Sequence, residues 1–401
     1  MPKKGFIFVL LSLFLLTACH KDNGEDEPDT RTVLIYMMAD NSLSSFSSTD
    51  ISEMIKGMGS VDVSKNNLLI YLDTYDGTPK LIKLDEKNGN IVQTIVKTYD
   101  EQISTDESVM KTVFSYVFSE YPAKSYGLDL WSHGEGWIPA TSASKGVISR
   151  WIGVDQNGGS NRYYLNISTL ASVLSSVPHF DFILFDACFM SSVEVYYDLR
   201  SHSDYFISSA TEIPGPGAYY ADVVPAMFAS SNDGEKVTEA YYDYYNKIYA
   251  AGVGISNDKW TSGVSVALVK SSGLESLASA TKSILAKYVQ SGTSISVSDI
   301  FCYDPYRNNY YTDLDGLMQK VSGGGTDYQS WKTVFNQCVP VYLTTATNYM
   351  SYSDGSMDAA RSMTGSAGLS TYVPRSTMST VNTYFKNTGW YTAAGWNNLG
   401  W

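Results

Sequence analysis

The sequence predicts an α/β fold: a mostly parallel sheet covered by helices on both faces, followed by a C-terminal subdomain. Two observations carry this expectation. Short apolar runs with little in–out alternation recur along the chain, as strands buried on both faces require. Segments with helical spacing lie between them, and alternating strand and helix patterns imply βαβ units.

The first strand reads as Thr32-Val33-Leu34-Ile35-Tyr36-Met37-Met38, closing at Ala39-Asp40-Asn41. Ser47 to Gly59 begins with polar capping-type residues and reads as a helix. A second strand is Leu68 to Leu72, ending at Asp73. Thr105 to Tyr121 sets Val109, Val113, Val117 and Tyr121 along one helix face. Leu128 to Ser132 and Phe182 to Phe185 read as further strands, with Ile167 to Val177 as the helix before the latter. Later strands are expected at Tyr205–Ser208, Gly263–Val269 and Leu369–Val373. With no repeat or proline-rich linker, residues 32–270 read as one domain, and 271–401 as a C-terminal portion packed on it or continuing its sheet.

Composition narrows the function. Of 401 residues, 44% are hydrophobic and 17% charged, which excludes wholesale disorder. Lys plus Arg number 28 against 41 Asp plus Glu, a net charge of −13 with no basic tract, so nucleic-acid binding is disfavoured.

The N-terminus reads as an address. Lys3 and Lys4 precede an apolar and small run from Gly5 to Leu16, a signal-peptide pattern too short for a stop-transfer span. Leu16-Thr17-Ala18-Cys19 then resembles a bacterial lipobox. Residues 1–18 would be removed and Cys19 acylated, anchoring the chain to a membrane through several acyl chains. Residues 19–31 read as a flexible acidic tether. Without residues 1–18 the net charge becomes −15. The implied location is the cell envelope, with the outer membrane or cell surface as candidates. Cys188, Cys302 and Cys338 remain; for the last two, buried thiols are favoured over a disulfide.

In an open parallel sheet, function collects at the carboxyl ends of strands. One such end runs into Ser132-His133-Gly134-Glu135-Gly136-Trp137, another into Asp186-Ala187-Cys188-Phe189-Met190. On neighbouring strands, His133 and Cys188 would face each other across one sheet edge. An imidazole can take a thiol's proton and so activate it as a nucleophile. Glycines after the histidine let backbone N–H groups approach a carbonyl and hold its oxyanion. A buried structural cysteine beside a histidine fits the same chemistry-level observation.

The segments Leu130 to Trp137 and Phe185 to Val195 resemble the histidine and cysteine motifs of the clostripain family, cysteine endopeptidases on a caspase-like fold. The opening strand, the Tyr126 to Trp131 lead-in, Ala210 to Gly215 and Gly368 to Pro374 agree, so the resemblance covers most of the chain. It implies Cys188 as nucleophile, His133 as general base and Gly134 as an oxyanion donor. It implies Asp186 as the acid of a pocket for Arg or Lys before the scissile bond, and Glu212, where the fold places substrate contacts, as a second substrate-binding acid or else an ordinary surface Glu. A carboxylate suits guanidinium or ammonium; a strand-end cap is the alternative for Asp186. Glu135 between two glycines and the Gly217-Ala218-Tyr219-Tyr220 segment depart from the family pattern and bear on residue preference.

No zinc-binding spacing or phosphate loop is present, and no cofactor is required. Asp155-Gln156-Asn157-Gly158-Gly159 reads as a turn, with calcium binding as the alternative. The resemblance also implies Lys145 and Arg150, between the two motifs, as candidate sites of self-cleavage, with plain loop charges as the alternative. The favoured function is a cysteine-type endopeptidase acting on proteins or peptides after Arg or Lys. The rival is an inactive caspase-fold lipoprotein that binds a glycan or protein partner.

Overall fold

The computed structural model describes residues 29–137, 151–231, 233–252, 262–305, 309–350 and 359–401. The expected signal peptide, Cys19, most of the tether, Lys145 and Arg150 lie outside the described residues. In chain order the first half contains β1 (Asp29–Ala39), α1 (Ser47–Met58), β2 (Asn66–Thr74), β3 (Lys80–Lys87), β4 (Asn90–Thr98), α2 (Glu107–Glu120) and β5 (Ala123–Trp131). Next come β6 (Ile152–Asp155), β7 (Tyr163–Leu165), α3 (Ile167–Leu174), β8 (Phe180–Asp186), α4 (Val193–Leu199), β9 (Ser203–Ser208), α5 (Tyr220–Met227) and α6 (Asp233–Ala251). The remainder is β10 (Ser265–Lys270), α7 (Leu274–Tyr288), β11 (Thr312–Asp313), α8 (Leu314–Ser322), α9 (Thr326–Cys338), β12 (Val341–Thr344), β13 (Thr347–Met350), β14 (Ala359–Ser362), β15 (Ser370–Thr371), α10 (Ser379–Lys386) and α11 (Gly389–Ala393).

Nine strands form the main sheet, in the order β12-β10-β9-β8-β5-β1-β2-β3-β4. The five central strands, β9-β8-β5-β1-β2, are mutually parallel. Antiparallel pairs extend both sides, β10 and β12 on one and β3 and β4 on the other. The central position of β1 explains its composition: every residue from Val33 to Ala39 is fully buried. Its side chains alternate between two cores. Leu34, Tyr36 and Met38 join α2, α3, α4 and the C-terminal helices, while Val33, Ile35 and Met37 join α1, α5 and α6. Each such aliphatic side chain taken fully from water contributes about 1.5–3 kcal/mol. The chain after residue 270 supplies β12 to the sheet and packs Trp331, Phe335 and Trp390 into the first of these cores.

Two features differ from the sequence expectations. The β3–β4 hairpin was not anticipated; it turns at Asn88-Gly89, both with positive φ (55° and 79°). Leu369–Val373 yields only the two-residue β15, paired with β11 outside the main sheet. One of its backbone donors, Tyr372 N–H, goes to the buried Glu194 carboxylate instead, and the Thr371 hydroxyl donates to the same oxygen, each at 2.8 Å. Among the described residues, no helix is long and apolar enough to cross a membrane.

Candidate active site

Adjacent parallel strands β5 and β8 set the site. Their register pairs Trp131 with Asp186. His133 and Cys188 each lie two residues beyond that pair, so both leave the sheet at the same carboxyl edge. Both side chains, with Gly134, Asp186 and Glu212, line one cavity of about 550 Å³.

The Cys188 loop is held by backbone bonds: Phe189 N–H donates to Thr211 O and Ser191 N–H to Ser209 O, each at 2.9 Å. Phe189 sits at φ 59°, a conformation unusual outside glycine, and its ring stacks on Tyr311 with centroids 5.2 Å apart. That strained turn brings Cys188 up to the cavity, half-buried. Ile213 N–H points at its sulfur, 3.4 Å away.

The His133 loop is fixed by a knot at the end of β1. Ser132 Oγ donates to Met38 O at 2.8 Å, and Val154 N–H donates back to Ser132 Oγ at 3.3 Å. Asn41 Nδ2 donates to Met38 O (2.8 Å) and Val154 O (2.9 Å), while Asn41 Oδ1 accepts from Leu43 N–H at 2.9 Å. His133 Nε2 lies 2.9 Å from Ser42 Oγ. Burial, aided by the nearby Arg162 cation, pushes the imidazole down to about 4, so it is neutral at pH 7.

Gly134 is required by close approach. A Cβ there would lie 2.8 Å from both Cys188 O and Ala187 Cβ, so a side chain would drive the two loops apart. Its bridge to Ile152 is flanked by Glu135 N–H to Trp151 O (2.6 Å) and Gly153 N–H to His133 O (2.9 Å), which leaves Gly134 N–H outside that pairing. Glu135, the departure from the family pattern, ties its carbonyl to the Tyr311 hydroxyl.

Asp186 is only 2% exposed. Its Oδ1 accepts from Tyr241 Oη at 2.9 Å, and its Oδ2 from Ala218 N–H (2.9 Å) and Tyr220 Oη (3.0 Å). Gly217 lies so close, at φ 67°, that a Cβ would strike the carboxylate. Burial raises Asp186 to about 6, and these donors limit the rise. Tyr220 Oη also reaches Asp129 Oδ2 at 2.8 Å. One phenol proton serves one acceptor. Burial, then the Asp186 charge, pushes Asp129 well up, whereas the donors around Asp186 hold its own rise to about 6, so Asp186 is the more readily ionised of the two. Asp50 is likewise raised to about 9, by burial first. Asp186 is thereby the charged member of a buried acid group.

Glu212 is buried on the cavity lining, its backbone carbonyl accepting from Asn348 Nδ2 at 3.0 Å. Cys302 and Cys338 are free buried thiols, pushed up to about 11 and about 12 by burial. Asp155 is spent on loop structure: Oδ2 accepts from Ser104 Oγ at 2.6 Å and Oδ1 from Asn157 N–H at 2.7 Å. His179 bonds Asp204 at 2.9 Å on the surface. Sequence reasoning flagged the segment that holds Tyr220 but missed Ser42, Arg162 and Tyr241. The position of Asn41-Ser42 just past a strand end was the available signal for the first; the others carried none.

A family model described as the clostripain family matches residues 35–401. Clostripain of Hathewaya histolytica is 27% identical over 220 residues, 47% of this chain and 40% of that protein, so the match spans less than half of the relative. A secreted C11 cysteine protease from Bacteroides thetaiotaomicron, solved with an irreversible peptide inhibitor, is 47% identical; the match covers 92% of this chain and 100% of that one, with a TM-score of 0.84. An inactive zymogen C11 protease from Parabacteroides distasonis is 30% identical, covering 92% and 98% of the two chains, with a TM-score of 0.76. With the His133 and Cys188 segments at one sheet edge and the family model matched over residues 35–401, this protein belongs to the clostripain family of C11 cysteine proteases.

Proposed function

We propose that the chain is a cysteine endopeptidase of the cell envelope that cleaves after Arg or Lys with a Cys188–His133 dyad. The observation that carries the dyad is the register: Trp131 opposite Asp186 brings His133 and Cys188 to one edge and one cavity. Neutral His133 takes the Cys188 thiol proton as the sulfur bonds to the scissile carbonyl carbon. Gly134 N–H and Cys188 N–H receive the resulting oxyanion. Collapse breaks the C–N bond, and His133 returns its proton to the leaving amine, giving a thioester. Water then adds to the thioester carbonyl, passing a proton to His133, and Cys188 leaves with that proton restored. Thiol, imidazole and backbone donors supply every step, so no cofactor enters it.

Asp186 supports the basic preference: it is an ionised carboxylate at the cavity lining, held by three donors, with Glu212 on the same lining. Bringing a guanidinium to that carboxylate, out of water, is the strong charge-assisted pairing. The similar Bacteroides structure holds a peptide inhibitor, in keeping with an extended substrate across this edge. We further propose anchorage through an acylated Cys19, with residues 20–31 as tether, and self-cleavage at Lys145 or Arg150. N-terminal sequencing of active enzyme that finds only an uncut chain removes the self-cleavage step.

A panel of fluorogenic peptides, hydrolysed by residues 20–401 and by the same protein with Cys188→Ala, tests the proposal. Turnover confined to Arg or Lys before the cut, and abolished in the variant, is expected. Turnover after other residues keeps the dyad and removes the Asp186 role; undiminished turnover in Cys188→Ala refutes the dyad.

A further inference from the structure

We propose that Ser42 is a positioning residue for the general base: its hydroxyl fixes the His133 ring so that Nε2–H points to Ser42 and Nδ1 is presented to Cys188. The inference rests on the dyad proposed above and extends it to a third side chain. Among the described residues, the hydrogen bond made by the His133 ring is the one with Ser42, Oγ to Nε2 at 2.9 Å. A ring that must accept a thiol proton needs one bare nitrogen, and a partner on the other nitrogen decides which it is. Ser42 occupies Nε2, so Nδ1 is left for the sulfur. Arg162, the cation beside the ring, has no acceptor to offer and cannot do this.

The two side chains are also held in mutual register by shared anchors. Asn41, immediately before Ser42, and Ser132, immediately before His133, both donate to Met38 O at 2.8 Å. Both also meet Val154: Asn41 Nδ2 donates to the Val154 carbonyl, and the Val154 N–H donates to Ser132 Oγ. Ser42 and His133 therefore project from adjacent strand ends clamped to the same two residues. Once Nδ1 has accepted the thiol proton, Ser42 Oγ accepts from the imidazolium Nε2–H, the duty that a carboxylate performs in a triad. A neutral hydroxyl does so more weakly.

Steady-state kinetics on the best peptide of the panel, for Ser42→Ala, Ser42→Thr and His133→Ala beside the parent, tests this. Ser42 is exposed, so none of its variants removes core packing. Loss of one hydrogen bond that becomes charge-assisted in the transition state implies a fall in kcat of about tenfold in Ser42→Ala, with KM within about twofold. Ser42→Thr keeps the hydroxyl and is expected to retain kcat within about threefold. His133→Ala is expected to be inactive. If His133→Ala keeps its activity, the dyad itself fails and Ser42 falls with it. If His133→Ala is dead while Ser42→Ala matches the parent in kcat, the dyad stands and the positioning role is refuted. A fall in Ser42→Ala that Ser42→Thr does not rescue also refutes it.

Discussion

If Asp186 receives a basic side chain as proposed, removing one phenol hydroxyl from beneath the cavity changes the pH at which turnover of peptides with Arg before the cut is lost. Tyr241 is buried on α6, and its Oη is the donor to Asp186 Oδ1, at 2.9 Å. Tyr241→Phe keeps the ring and leaves that oxygen buried without this donor. A hydrogen bond to a charged group contributes about 1.5–3 kcal/mol, and 1.36 kcal/mol corresponds to one pH unit of titration. Asp186, at about 6 in the parent, is thus expected to titrate about one to two pH units higher. The sign follows from which form binds: a guanidinium needs the ionised carboxylate, so activity on Arg substrates falls as pH drops through the Asp186 titration. At pH 7 the parent is about nine-tenths ionised and the variant about one-tenth to one-half, a loss of about two- to tenfold in kcat/KM that disappears near pH 9. His133, pushed down to about 4, protonates too low to mask this limb. Of the other acids facing Asp186, Asp129 is pushed well up and Asp50 to about 9, both mainly by burial. Glu53, raised to about 7 by burial first, titrates inside this window, and the peptide with an uncharged residue before the cut is the control for it. The assay is kcat/KM against pH, from 5 to 9, on a peptide with Arg before the cut and on one with an uncharged residue there. An acid limb that stays at the same pH in Tyr241→Phe, or a loss uniform across pH, refutes the account of Asp186.

Three further outcomes are expected. Cys188→Ala abolishes turnover while thermal unfolding stays within about 2 °C of the parent, because the half-buried thiol contributes little packing; fluorogenic assay and a melt check both halves. Gly134→Ala places a Cβ 2.8 Å from Cys188 O, so the two loops separate and kcat/KM drops by about 10²-fold with the chain still folded. Arg31→Ala strands Asp181 and Asp233, which the guanidinium holds at 2.6 and 2.8 Å in a largely buried cluster far from the chemistry. It should cost about 3–5 kcal/mol in denaturant unfolding, with kcat per folded molecule unchanged.

The central strands, and with them the placing of the His133 and Cys188 segments at one sheet edge, were legible because burial on both faces writes itself as unbroken apolar runs. Val33 to Met38 and Phe182 to Phe185 are such runs, and the residues just past strands β5 and β8 are where an open sheet exposes chemistry. The β3–β4 hairpin was less visible since its strands carry Lys and Glu on the exposed face, although Asn88-Gly89 was a turn signal in plain view. Leu369–Val373 has a strand's composition, yet a carboxylate on a distant helix takes the Tyr372 N–H, and Ser370 N–H goes to the Ser191 carbonyl. Composition cannot announce that. The same holds for Tyr241 on Asp186, 55 residues away, and Ser42 on His133, 91 residues away: each contact exists only once the helices and strand ends are packed.

The most direct test of Cys188 as the nucleophile of a site selective for basic side chains is covalent labelling. The folded protein is treated at pH 7 with a peptidyl electrophile ending in Arg, and the adduct is located by mass spectrometry of the digested chain. Cys302 and Cys338, buried and raised to about 11 and about 12, should stay unmodified, with a single adduct on Cys188 that forms faster than with a probe ending in Ala. An adduct on Cys302 or Cys338 with Cys188 free, or equal rates for the two probes, would contradict that assignment.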